Sequence, residues 1–195
     1  ERQRLLLWFL ATYSLKPLAD LQVLEVGCGS GSNLLELLRL GFSASNLVGN
    51  ELLPERWEAA RLRLPLATQI LEGDALRLSY TNNSFDIVYQ STVFSSLLDD
   101  GFQDLLARKM WDWVRPGGAV LWYDFIYDNP SNLDVRGVPI SRIQSLFPEA
   151  RIHMRRVTLA PPISRRVCRF HPALYPILNA TPWLLTHVLC WLQKK

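Results

Sequence analysis

Gly27-Cys28-Gly29-Ser30-Gly31 lies between the apolar run Val23-Leu24-Glu25-Val26 and the helical pattern Leu34-Leu35-Glu36-Leu37-Leu38. A strand buried on both faces reads as such a short apolar run. Only residues with little or no side chain turn the backbone tightly enough to send it straight from that strand into a helix. The resulting corner can be touched closely by a ligand, with helix N–H groups and the positive end of the helix dipole facing it. Glycine loops are common to many nucleotide-binding sheets, so the ends of the later strands decide the chemistry of this one.

Apolar runs then alternate with helical patterns. Strands are expected over residues 23–26, 46–51, 68–73, 85–90 and 119–125, and helices over 32–40, 54–63 and 100–114. Pro54 suits a first helical turn, and Phe102, Leu105, Leu106, Met110 and Trp113 recur at helical spacing. This β-α-β order predicts an α/β fold with a doubly wound parallel sheet, right-handed crossovers and helices on both faces. After Phe125 the pattern changes. Tyr127-Asp128-Asn129-Pro130-Ser131-Asn132 is turn chemistry, Ser141 is placed to cap a short helix running to Phe147, and 151–159 reads as a half-exposed strand. Ala160-Pro161-Pro162 breaks that strand, and a final strand is expected over 187–193, closing the sheet edge as a late hairpin.

Charge is unevenly placed. The first 150 residues hold 13 Lys and Arg against 18 Asp and Glu, whereas residues 151–195 hold eight bases and no acid. Such a tail attracts a phosphorylated or carboxylated substrate or an anionic surface, or it is a solvated strand face with an arginine-lined loop. The balance is too mild for a dedicated nucleic-acid binder, and no nucleic-acid-binding motif is present. The run Leu5 to Ala11 is too short for a leader and reads as an amphipathic helix. The uncharged stretch 172–193 is interrupted by Pro176, Asn179 and Pro182, which predicts a short helix followed by a strand rather than a membrane span. Cys28, Cys168 and Cys190 are too few and too scattered for a disulfide framework or zinc site, so a reduced, cytoplasmic compartment is expected.

An adenosine-containing ligand on such a sheet lies beyond the carboxyl ends of the strands. The second strand ends in Glu51, an acceptor for ribose hydroxyls. The third ends in Glu72-Gly73-Asp74-Ala75, which offers a carboxylate to an adenine amino group, and the fourth ends in Val88-Tyr89-Gln90-Ser91. In this order, from Leu21 to Phe125, the chain resembles the class I S-adenosylmethionine-dependent methyltransferases. Residues Val23 to Gly31 are similar to that family's first motif, Gly73-Asp74-Ala75 to its adenine-contact motif, and Ser84 to Ser91 to its fourth-strand motif. Val114-Arg115-Pro116-Gly117-Gly118 resembles its turn into the fifth strand.

The resemblance implies a Rossmann-like, three-layer α/β/α fold with a seven-stranded sheet, mostly parallel with an antiparallel C-terminal strand. It also implies S-adenosylmethionine as cofactor, held by Glu25, Gly27, Cys28, Gly29, Gly31, Asn33, Asn50, Glu51, Leu52, Gly73, Asp74, Ala75, Gln90 and Ser91. The organisation expected is one domain: a helical lead-in over 1–20, a cofactor-binding core over 21–125, and an acceptor-side loop, helix and hairpin over 126–195. The rival chemistries are a nicotinamide-dependent oxidoreductase, whose fingerprint wants a third glycine or alanine where Ser32 stands, an aminopropyl transferase, whose paired aspartates are missing, and a nucleotide-binding module without activity.

Methyl transfer by in-line displacement chiefly demands alignment, and a general base only where the attacking atom must lose a proton. Ser91, Thr92, Tyr123 and Asp128 lie near the reacting end, but Asp124 and Tyr127 are the candidates for catalysis. Asp128-Asn129 resembles the acidic pair of metal-dependent O-methyltransferases. The matching carboxylate after the fourth strand is replaced by Ser91 and Thr92, so no metal site is expected, and the three histidines have no metal-ligand spacing. Tyr13 is expected as a lid over the methionine end, with Tyr127, Trp122 and Phe94 lining an acceptor pocket. The expected partner is a small-molecule acceptor, lipid- and glycan-linked ones included, and the chain is expected to be a monomer or homodimer without a membrane span.

Overall fold

The computed structural model describes residues 1–14, 16–128, 132–171 and 173–195. The strands are β1 (Val23–Val26), β2 (Leu47–Glu51), β3 (Gln69–Glu72), β4 (Phe85–Ser91), β5 (Val114–Phe125), β6 (Arg151–Leu159) and β7 (Leu185–Gln193). They form one seven-stranded sheet in the order β3-β2-β1-β4-β5-β7-β6. The pairs from β3 to β5 are all parallel, and β7 runs antiparallel to both β5 and β6. The helices are α1 (Arg2–Tyr13), α2 (Ser32–Arg39), α3 (Pro54–Arg63), α4 (Asp100–Trp113), α5 (Ile140–Leu146), α6 (Pro161–Phe170) and α7 (Leu174–Asn179).

Alternation along each strand sends successive side chains to opposite faces. Leu24, Val88, Val120 and Trp122 join Leu106 and Met110 of α4 and Ile143 of α5 in one buried cluster. Val23, Ile87, Tyr89, Leu121 and Trp191 join Leu6 and Phe9 of α1 and Leu34 of α2 in the other. Two cores on one sheet make the three layers. Truncating the fully buried Trp122 to Ala costs about 3–5 kcal/mol. The strand order reverses between β1 and β4, the place at whose carboxyl edge a sheet of this kind takes its ligand.

Several boundaries depart from expectation. The fifth strand begins at Val114 rather than Ala119, because Pro116-Gly117-Gly118 forms an irregularity inside the strand instead of a turn before it. A Cβ on Gly118 would meet the Asp86 carbonyl oxygen at 2.4 Å, so glycine is what lets the two backbones approach. The Pro161-Pro162 pair starts a helix where an arginine-lined loop was expected, since proline is well tolerated in a first helical turn. Ser141 lies within α5, whose N-cap is Pro139, and is not its cap. The uncharged C-terminal stretch forms α7 and then β7, a helix followed by a strand, and no helix among the described residues is long and apolar enough to cross a membrane.

Candidate cofactor and active site

The loop after β1 passes through Gly27, Gly29 and Gly31, with φ of 65°, 56° and 79°. It is tied to β2 by the Cys28 N–H, which donates to the Asn50 carbonyl at 2.9 Å. A Cβ on Gly29 or on Gly73 (φ 118°) would meet nothing within 4 Å. Both glycines flank Glu51. The Gly29 N–H donates to Glu51 Oε2 at 2.7 Å, and the Gly73 N–H donates to the Glu51 carbonyl at 2.8 Å. These positions leave main chain open on both sides of a buried carboxylate, where a side chain would close it off.

Glu51 Oε1 accepts from the Leu53 N–H at 3.0 Å, so each carboxylate oxygen is fixed by one backbone donor and keeps a lone pair for another. Asn50 donates its amide to the Gly73 carbonyl at 2.8 Å and braces the end of β3. Asp74 is half-buried, and its Oδ1 accepts from the Leu76 N–H at 2.8 Å, capping a turn that begins at Ala75. Leu52, next to Glu51 in the chain, is 62% exposed. Cys28 is buried, its Sγ near the Gly29 carbonyl, and burial pushes its thiol far above the ordinary range. It packs as a small residue, not a nucleophile.

Glu25 is wholly buried, and burial pushes its carboxyl up to about 8 against the pull of Asn33. Its Oε1 accepts from Asn33 Nδ2 at 2.7 Å, whereas Oε2 has no partner. Arg2 of α1 reaches across to donate to Asn33 Oδ1 at 3.0 Å and to Glu36 Oε2 at 2.6 Å, and its guanidinium lies 5.1 Å from the Tyr123 ring centre. Arg2 thereby fixes which way the Asn33 amide faces. The chain Arg2–Asn33–Glu25 leaves one buried Glu25 oxygen unpartnered, and an isolated orphan of this kind costs about 1–3 kcal/mol. Sequence reading missed Arg2 and Glu36, because their meeting joins two helices 34 residues apart. It also missed Arg63, which donates to Ser30 and Ser32 and locks α3 onto the loop.

At the end of β4, Gln90 is fully buried and accepts from the Val93 N–H at 3.1 Å, with Ser91 beside it at the strand's last position. Thr92 holds φ of 57°, strained for a β-branched residue, and donates its N–H to the Tyr123 carbonyl at 2.8 Å. Asp124 is fully buried; Oδ2 accepts from the Ser95 N–H at 3.2 Å and Oδ1 from the Phe125 N–H at 2.9 Å. Burial lifts its carboxyl to about 6, against those hydrogen bonds. Tyr127 is 49% exposed, and its hydroxyl accepts from Arg156 at 2.9 Å.

Three expected contacts lie elsewhere. Tyr13 stacks on His153 and Trp191 and lines a cavity of about 100 Å³ with Lys16, Asp86 and Arg115. That cavity is at the amino edge of β4, opposite the glycine loop, so Tyr13 is no lid. Trp122 and Phe94 are fully buried against each other in the core and line no acceptor pocket, because their side chains fall on the α4 face of the sheet. Among the described residues no group of His, Cys, Asp and Glu is arranged to hold a metal, and Asn129 lies outside them.

A family model described as a methyltransferase domain matches residues 23–118, the span that carries the loop, Glu51, Asp74 and β4. Residues 23–118 are a methyltransferase domain of the S-adenosylmethionine-dependent kind. A demethylmenaquinone methyltransferase of Deinococcus radiodurans is 33% identical over 107 residues, covering 53% of this chain and 43% of that one. A sterol 24-C-methyltransferase of Aspergillus fumigatus is 29% identical over 129 residues, covering 60% of this chain and 32% of that one. The chain thus spans less than half the length of either relative. A methyltransferase structure from Archaeoglobus fulgidus shares the fold at a TM-score of 0.70, with 13% identity over 98% of this chain and 94% of that one.

The methyltransferase site fits S-adenosylmethionine by its own chemistry. The orphaned Glu25 oxygen suits an ammonium group, Glu51 suits a vicinal diol, and the unencumbered backbone at Gly29 and Gly73 gives a flat adenosyl group room.

Proposed function

We propose that this chain transfers a methyl group from S-adenosylmethionine to a small-molecule acceptor. Glu25 carries the reading: a buried carboxyl group, held through Asn33 by Arg2, whose one unpartnered oxygen would ionise beside a bound cation. A dinucleotide brings no ammonium to that position, which disfavours the oxidoreductase. The bound cofactor supplies a methyl group already activated on a sulfonium. The residues have only to bind, orient and exclude water.

In this reading Glu51 grips the ribose hydroxyls, Asp74 accepts from the adenine amino group with Oδ2, and Leu52 covers the ring. Glu25 orients the amino-acid end. Asp124 acts as a strut, since it is fully buried and its oxygens hold the Ser95 and Phe125 N–H groups. Tyr127, polarised by the Arg156 guanidinium, is the exposed hydroxyl placed to meet an acceptor. The two relatives carry names that specify quinone and sterol substrates, which supports an apolar small acceptor over a polymer.

The test is incubation with methyl-labelled cofactor and separated small-molecule, lipid and polymer extracts. Label in a small-molecule or lipid fraction is the expected result. Label confined to polymer contradicts the acceptor class, and tight cofactor binding with no transfer to any fraction makes the chain a binding module.

A further inference from the structure

β5 and β6 both run antiparallel to β7, so the ends of β5 and β6 lie at the same carboxyl edge of the sheet as the site. The segment joining Leu159 to Leu185 therefore crosses that edge, held by the Ala160 N–H on the Leu184 carbonyl at 2.9 Å. It contains α6, α7 and the turn Pro182–Leu184, with α6 packed on α7 and α7 on β6.

We infer that this segment is a docking surface for an anionic lipid bilayer. Arg165, Arg166 and Arg169 of α6 are exposed, and none enters an ion pair among the described residues. No acid follows residue 150 to neutralise them. On α7 and the turn that follow α6 in the same segment, Trp183 is 86% exposed, Ile177 66% and Leu174 42%, aromatic and aliphatic surface open to solvent. Cations together with such a surface are the combination that seats a short helical segment in a headgroup layer, with tryptophan at the interface. A nucleic acid would use the arginines and the indole ring but gain nothing from Leu174 and Ile177. The first 150 residues carry more acid than base, so an anionic surface repels that part and turns the basic edge toward itself. The rim of the site then faces the bilayer.

Sedimentation of the whole protein with vesicles tests this without any reference to methyl transfer. Vesicles of phosphatidylcholine alone are compared with vesicles of phosphatidylcholine and phosphatidylserine at about 7:3, in about 0.1 M salt. Wild type is expected on the anionic vesicles only. R165Q/R166Q/R169Q loses affinity on the order of a hundredfold, I177S/W183S about tenfold, and R39Q/R77Q/R108Q, with as many charges removed elsewhere, binds as wild type. Cofactor titration of the same variants separates a folding defect from a docking defect, and I177S/W183S decides the matter should the arginine variant fail to fold. Wild type left in the supernatant overturns the inference, as do equal losses in the two triple arginine variants. Capture of wild type by a single-stranded oligonucleotide but not by vesicles, unaffected by I177S/W183S, overturns it in favour of nucleic acid.

Discussion

The two halves of the sheet treat polar groups in opposite ways. At the carboxyl ends of β1 and β2 the carboxyl groups are buried and their partners are backbone N–H groups or a neighbouring amide: Glu51 on Gly29 and Leu53, Glu25 on Asn33. From β6 to β7 the charged groups are arginines at the surface, resting on aromatic faces, as Arg155 does on Trp8 and Arg156 on Tyr127, or reaching into solvent from α6. The first half is built to recognise one ligand at fixed positions. The second half offers charge and apolar surface without a fixed geometry, which suits a variable or extended partner.

The sharpest way to break this contrast is Glu51→Ala. It removes the proposed diol acceptor and the hydrogen bonds to the Gly29 and Leu53 N–H groups, and cofactor affinity should fall by on the order of 3 kcal/mol, about a hundredfold, in calorimetric titration. An unchanged affinity would mean that the buried carboxylate serves the loop alone. Asp74→Ala should cost about 1–3 kcal/mol of cofactor affinity, part of it through the lost cap on Leu76; unaltered heats would remove Asp74 from the adenine contact.

Glu25 gives a pH signature that no residue of the second half should reproduce. Its folded value of about 8 lies above the ordinary 4.5, so folding favours the protonated form. The stability this confers is complete below about pH 4.5 and is lost as pH rises toward 8. Glu25→Gln should flatten the slope of denaturant-measured stability between those limits and be the more stable protein at pH 8. A slope identical to wild type's would place the titration elsewhere.

Arg2→Ala has the smallest expected effect, because Arg2 is partly exposed and acts through Asn33. Cofactor KM should rise severalfold while kcat holds, and Arg2→Lys should restore part of the loss, since both bonds leave one guanidinium nitrogen and an ammonium also carries several donors. Equal falls in kcat and kcat/KM would assign Arg2 to the reaction itself.

Legibility in the sequence divides along the same line. The glycine loop, Glu51 and Asp74 are local signals: each sits where a strand ends, and the strand ends are marked by neighbouring residues. The parallel core, the helix after Pro54 and the hairpin at the edge are legible for that reason. Arg2 meeting Asn33, Tyr123 meeting Thr158 and Tyr13 meeting His153 are long-range contacts with no local mark. Tyr13 lies at the opposite end of the sheet from its expected place, because proximity in sequence to the loop says nothing about which way α1 runs. Residue type suggests a pocket for Trp122 and Phe94, whereas strand alternation already sends Trp122 to the core face with Val120. The Pro161-Pro162 pair reads as a break, although two prolines at a helix start are compatible with either outcome until the residues after them pack.

On the proposed function, the corner between β1 and β2 grips a cationic adenosyl ligand through a Glu25 carboxyl group that is protonated when empty. Calorimetric titration of wild type with S-adenosylmethionine at pH 7, in two buffers of different ionisation enthalpy, counts the protons exchanged. With Glu25 near 8 before binding and ionised beside the ligand's ammonium group after it, about one proton should leave per ligand bound, and none in Glu25→Gln. Binding without proton release, or the same release from the variant, would contradict the account.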